Sequence, residues 1–105
     1  MFDPAHPGEL LKEFILGLRE ETGIPYTIAE VAVNLGTTRK TLSAIINKKQ
    51  SVTADMAVRL SAAFPNSSPE FWLNVQEHYD LALSRKRVNT SAIKILWPKQ
   101  PIITA

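Results

Sequence analysis

The stretch TIAEVAVNLGTTRKTLSAIIN, from Thr27 to Asn47, constrains the fold more than anything else in the chain. Before Gly36, Ile28, Val31, Ala32 and Leu35 recur at helical spacing; after it, Leu42, Ile45 and Ile46 do the same. Thr27 and Glu30 have the spacing of a capping box, Thr38 stands where the next helix needs its cap, and that helix reads to about Asn47. Only Gly36 and Thr37 lie between the two segments. A link that short, with a small residue at Ala32, lets two helix axes cross steeply. Leu35, Leu42 and Ile45 are then shared apolar anchors, the requirement of a helix-turn-helix.

Arg39 and Lys40 open the second of these helices, where the helix dipole disfavours positive charge. A core helix has no use for them there. An anionic partner resolves the conflict, because in a helix-turn-helix the start of the second helix enters the major groove of DNA. Arginine suits guanine O6 and N7, so Arg39 and Lys40 are candidate base readers. Ser43 and Ala44 follow one turn on, where Ser43 reaches a base or phosphate and Ala44 a thymine methyl group. Thr38, Thr41, Asn47, Lys48 and Lys49 flank the helix and are candidate phosphate contacts. Two adjacent cations also suit a merely solvated face. The turn glycine, the small alanine and the three anchors together favour double-stranded DNA.

The remaining sequence reads as further helices. HPGELLKEFILGL places Pro7 in a first turn, Glu9 at the positive end of the dipole and Gly23 at the stop. A fourth helix begins near Thr53 and buries Met56, Ala57, Leu60 and Phe64. A fifth is capped by Ser68, starts on Pro69 and carries Phe71, Trp72, Val75, Tyr79, Ala82 and Leu83 on one face before SRKR. Phe71, Trp72 and Tyr79 read as core, with part of the stripe at a dimer seam. Beyond Arg87 the helical pattern stops. The expected organisation is all-α, a helical domain over residues 1–87 and an extended C-terminal tail over residues 88–105.

Composition narrows the function. With 105 residues and 45% hydrophobics there is one modest core, and a formal charge of +2 leaves the DNA reading to the distribution of charge. Without cysteine, disulfides and thiolate metal sites are excluded, which fits a cytoplasmic protein. No apolar run approaches the ~20 residues of a membrane span, and the start lacks a signal-peptide layout. His6 and His78 have no ligand-forming company, so neither metal nor cofactor is expected; His6 reads as a helix-start residue and His78 as a polar position. No phosphate loop, nucleophile setting or carboxylate pair suggests an enzyme.

Taken together, HPGELLKEFI, IAEVAVNLGTTRKTLSAIIN, VTADMAVRLSAAF and SPEFWLNVQEHYDL resemble the HigA-type (VapI-like) antitoxins of the XRE-like helix-turn-helix superfamily, over His6 to about Leu83. The resemblance implies a five-helix, lambda-repressor-like fold, a homodimer on its own operator, and a cognate toxin of the RelE-like ribonuclease type. The chain departs from the family in its longer REETGIPYT link, in its extra Pro65, and in Asn47-Lys48-Lys49 where relatives often have Asn-Gly-Lys. Without that glycine, Asn47 is expected to take the left-handed cap. Glu20 and Glu21 read as a solvated run, or as a point where a basic toxin docks. In the tail, AIKILWP (residues 92–98) is too apolar to stay in water and is expected to dock on its own body or the dimer mate before a toxin. A free-standing repressor, or a protein-binding module that no longer reads DNA, remains an alternative to the antitoxin.

Overall fold

A computed structural model of the chain describes residues 3–97. Five α-helices follow one another: α1 Pro7–Thr22, α2 Ile28–Leu35, α3 Arg39–Ile46, α4 Ala54–Ala63 and α5 Pro69–Arg87. A 3-10 turn, Thr90–Ala92, comes after them, and no strand occurs among the described residues.

Each α-helix starts on a side-chain cap. Thr27, Thr38, Thr53 and Ser68 accept the third backbone N–H of their helices, and Thr27 with Glu30 completes the reciprocal capping box. His6 uses an imidazole for the same purpose: its Nδ1 accepts the Gly8 N–H at 2.9 Å. Such a cap satisfies donors the helix itself leaves open and is worth about 1 kcal/mol.

The ends of α2 and α3 share one lock. After α2, Gly36 N–H donates to the Val33 carbonyl at 3.0 Å and Thr37 N–H to the Ala32 carbonyl at 2.9 Å, with Gly36 left-handed at φ 72°. After α3, Lys48 N–H donates to Ile45 at 3.0 Å and Lys49 N–H to Ala44 at 2.8 Å. In this Schellman arrangement the left-handed residue is the one beyond the cap. Asn47, at φ −87°, is the cap itself, so Lys48 takes φ 63°. The expectation that Asn47 would turn left-handed was misplaced by one residue.

α1 packs on α3 and α5, α2 on α3 and α4, and α4 on α5, around a core that includes Leu11, Ile15, Leu35, Leu42, Ile45, Leu60 and Trp72. The recognition pair therefore shares its interior with the whole domain. Gly8 makes the closest junction. A Cβ there would fall on the carbonyl oxygen of Ile45, so only glycine lets α1 lie on the end of α3. Gly17 is the opposite case, since a Cβ there would meet nothing within 4 Å. A mid-helix glycine costs about 1 kcal/mol relative to alanine, and among the described residues no contact requires it.

The aromatic stripe of α5 divides. Trp72 is fully buried, its Nε1 donating to Ser67 Oγ at 3.0 Å, and it meets Phe14 edge-on at 5.1 Å. Tyr79 is half-buried against the His6 ring at 4.8 Å, whereas Phe71 and Leu83, on the same apolar stripe, are exposed in the single chain. Their place is taken by Gln76, buried between the α3–α4 link and α5. Its Oε1 accepts the Val52 N–H at 2.8 Å and its Nε2 donates to Asp80 at 3.0 Å.

Beyond α5 the chain is not simply extended, because Asn89 Oδ1 caps the 3-10 turn by accepting from Ser91 N–H and Oγ. Nor does the apolar segment dock on its own body: Ile93, Ile95, Leu96 and Trp97 are 62%, 86%, 91% and 73% exposed. Pro98, the last residue of that segment, and Pro101, which with it bars a helix from continuing there, lie outside the described residues.

Candidate nucleic-acid interface

α3 projects one face out of the domain. Leu42 and Ile45 are fully buried and hold the opposite face down, while Arg39 and Lys40 stand exposed at the start. Residues four apart on a helix share a face, so Ser43 and Ala44 lie one turn behind the two cations, and both are half-buried. The structure thus brings the four candidate base readers onto one short ridge. With eight residues, α3 is about 12 Å long, and Arg39 and Lys40 are its exposed first two residues.

Thr38 is exposed and Thr41 half-buried, and each engages the other: Thr38 Oγ1 accepts the Thr41 N–H at 3.1 Å and donates to Thr41 Oγ1 at 3.0 Å. This orientation leaves the Thr41 hydroxyl hydrogen available to an outside acceptor. At the other end, Asn47 and Lys49 are exposed. Lys48 is differently placed. Its ammonium pairs with Glu9 at 3.2 Å, both side chains half exposed, which ties α1 to the end of α3. A phosphate at this point must compete with Glu9.

Two positions outside the motif fix its geometry, and neither was singled out from the sequence. Arg59, on α4, donates from Nη1 to the carbonyl oxygens of Leu35 and Gly36 at 3.1 and 3.2 Å. A cation at the C-terminal end of α2 also meets the negative end of its dipole. Gly8 is the second, through its contact with Ile45. The signal for Gly8 was present in HPGE, since a glycine in a helix's first turn asks for a reason; Arg59 in an exposed turn of α4 carried no such signal.

His6 is buried, and its burial holds the imidazole pKa below the ordinary value of 6.5, more than Asp80 and Glu9 raise it. The ring is therefore biased to the neutral form, the one that can accept from Gly8. It serves the fold of the helix start, not the α3 ridge.

A braced helix pair with a steep turn, presenting a cationic helix start, defines a helix-turn-helix domain of the XRE-like class. The Helix-turn-helix family matches residues 18–72, and the chain belongs to it, within the HigA-type group. Virulence-associated protein A′ of Dichelobacter nodosus is 44% identical over 92% of this chain and 78% of its own length. Among solved structures, an addiction module antidote protein of the HigA family from Coxiella burnetii superposes with a TM-score of 0.77 at 34% identity, over 93% of this chain and all of that one. The Pseudomonas aeruginosa antitoxin HigA, solved with the higBA promoter, gives 0.68 at 32% identity over 90% and 99% of the two chains.

Proposed function

We propose that this protein is the DNA-binding antitoxin of a toxin–antitoxin pair, a cytoplasmic homodimer that represses its own operon and neutralises a RelE-like ribonuclease toxin. The observation that carries the reading is the α3 ridge. Arg39 and Lys40 stand exposed at the start of a capped helix, with Ser43 and Ala44 half-buried one turn behind them. The likeness to an antitoxin solved on its promoter supports the same use. Arg39 and Lys40 read base edges, with Ser43 and Ala44 behind them. Thr41, Thr38, Asn47, Lys49 and, on exchanging Glu9, Lys48 hold phosphates. One recognition helix covers few base pairs, so a dimer on an inverted repeat, its half-sites one DNA turn (~34–36 Å) or a multiple apart, supplies the rest. Residues 1–87 are the DNA-binding domain and residues 88–105 a separate tail.

The test has two arms. On operator DNA, Arg39→Ala loses about 1–3 kcal/mol and relaxes preference at one base pair, whereas Lys49→Ala weakens all duplexes alike and lowers the salt slope by about one. Equal losses for Arg39→Ala on operator and random DNA reduce it to a phosphate contact. In the second arm, the tagged chain captures the small basic protein encoded beside it. No such capture, with operator binding intact, leaves a free-standing repressor.

A further inference from the structure

A groove crosses α1 at Gly17. Phe14, Leu18 and Phe64 form its floor, Glu13 and Glu21 stand at its rim, and its volume is about 370 Å³. Asn66 and Phe14 connect it to a second hollow running to Phe71, at the N-terminal end of α5. Gly17 is what keeps the groove deep. The helix gives up stability there, and among the described residues the vacant Cβ position meets nothing within 4 Å. An internal glycine with no internal purpose is explained by something that enters from outside.

The same molecule carries an unburied segment of matching character. Ile93, Ile95, Leu96 and Trp97 stand in water beside Lys94. Residues 88–105 contain two cations, Lys94 and Lys99, and no acidic residue. Among the described residues, the charged groups lining the groove are the carboxylates of Glu13 and Glu21. We propose, resting on the dimer of the preceding reading, that this groove receives the C-terminal segment around residues 93–97 of a second copy of the chain.

Reach favours exchange between copies. α5 has 19 residues and is about 28 Å long, with the second hollow at its N-terminal end and the tail leaving from the other. Six residues from Val88 to Ile93 span at most about 20 Å, less through the 3-10 turn, so Ile93 falls short of the hollow beside its own Phe71 through which the groove is reached. Meanwhile Leu73, Leu81 and Val88 form an exposed apolar row along one side of α5. Two copies paired antiparallel along this row bring each tail beside the partner's Phe71 and Gly17. The chain itself then supplies the cover that both the groove and the tail lack.

The absence of cysteine makes the test direct. A Gly17→Cys chain mixed with a Leu96→Cys chain and oxidised gives a disulfide between chains, and Gly17→Leu weakens the dimer by at least about tenfold in sedimentation while the helical circular-dichroism spectrum is unchanged. An unlinked mixture with a Gly17→Leu dimer of wild-type strength overturns the proposal. So does an internal disulfide in a chain carrying both cysteines, which places the tail on its own groove. A Gly17→Leu dimer that is intact but has lost only the copurifying partner assigns the groove to the toxin instead. None of these readouts uses DNA, so failure of operator binding leaves the docking result standing; a wild-type monomer overturns the docking and the dimer together.

Discussion

The guanidinium of Arg59 holds the carbonyl oxygen of Gly36 at 3.2 Å, and the same nitrogen holds Leu35 at 3.1 Å. A residue of the fourth helix thereby fastens the turn that aims the third. Hydrogen bonds from a charged donor are worth about 1.5–3 kcal/mol when well shielded, and this one is partly exposed. Arg59→Ala is therefore expected to cost about 1–2 kcal/mol in urea unfolding and to weaken the operator complex beyond what its lost charge explains. Arg59→Lys restores the charge on a side chain whose ammonium ends one bond short of Nη1, so it recovers the salt dependence of binding without recovering stability.

Lys48 and Gly36 occupy equivalent places in the two helix-end locks, one at φ 63° and the other at φ 72°. A left-handed residue other than glycine carries about 1–2 kcal/mol of strain, and the exposed pair with Glu9 offsets at most about 1 kcal/mol. Lys48→Gly should raise stability by up to about 1 kcal/mol, and Glu9→Gln should change it little. A denaturation midpoint that falls on Lys48→Gly would show that the Glu9 contact outweighs the backbone.

At Gly8 the expected sign is reversed. Alanine is the better helix former, but its methyl group would press on the Ile45 carbonyl, which belongs to a packed backbone and has little room to move. Overpacking of this kind costs about 1–3 kcal/mol, so Gly8→Ala destabilises the fold and displaces α3. Amide chemical-shift changes confined to the first turn of α1, with Ile45 and Ile46 unmoved, would refute it.

His6 adds a pH dependence. Its folded pKa lies below 6.5, so the unfolded chain takes up the proton first as the medium is acidified. The contribution of the neutral cap is complete above about pH 6.5 and is lost as pH falls below it, levelling off below the folded pKa. Melting temperatures taken between pH 7.5 and 5 should decline through this window, and His6→Asn, which keeps a cap without a titrating ring, should flatten the decline.

Much of this was legible in the sequence because it is written locally. Thr27 with Glu30, Thr38, Thr53, Ser68 with Pro69, Gly23 and Gly36 act within a turn of themselves, and the helices begin and end on them. The exposed ridge of α3 followed from the same periodicity that buries Leu42 and Ile45. What escaped depends on a distant element. Gln76 reads as a surface residue until Val52, 24 positions earlier, offers it an N–H to accept. Phe71 and Leu83 fit an apolar stripe on a helical wheel, but only a narrower strip of α5 faces α1 and α4. The Asn47 error was of another kind: the residue type was weighed correctly, and the register of the motif decided the position.

The two tryptophans occupy opposite environments, Trp72 at zero exposure in the core and Trp97 at 73% in the tail. Excited together, they emit as two populations, a blue-shifted one that added iodide cannot reach and a red-shifted one that it quenches. Unfolding moves the first and leaves the second nearly still, whereas covering the tail moves the second alone. The protein can therefore report separately, without a label, on whether its interior is intact and on whether its end has found a surface.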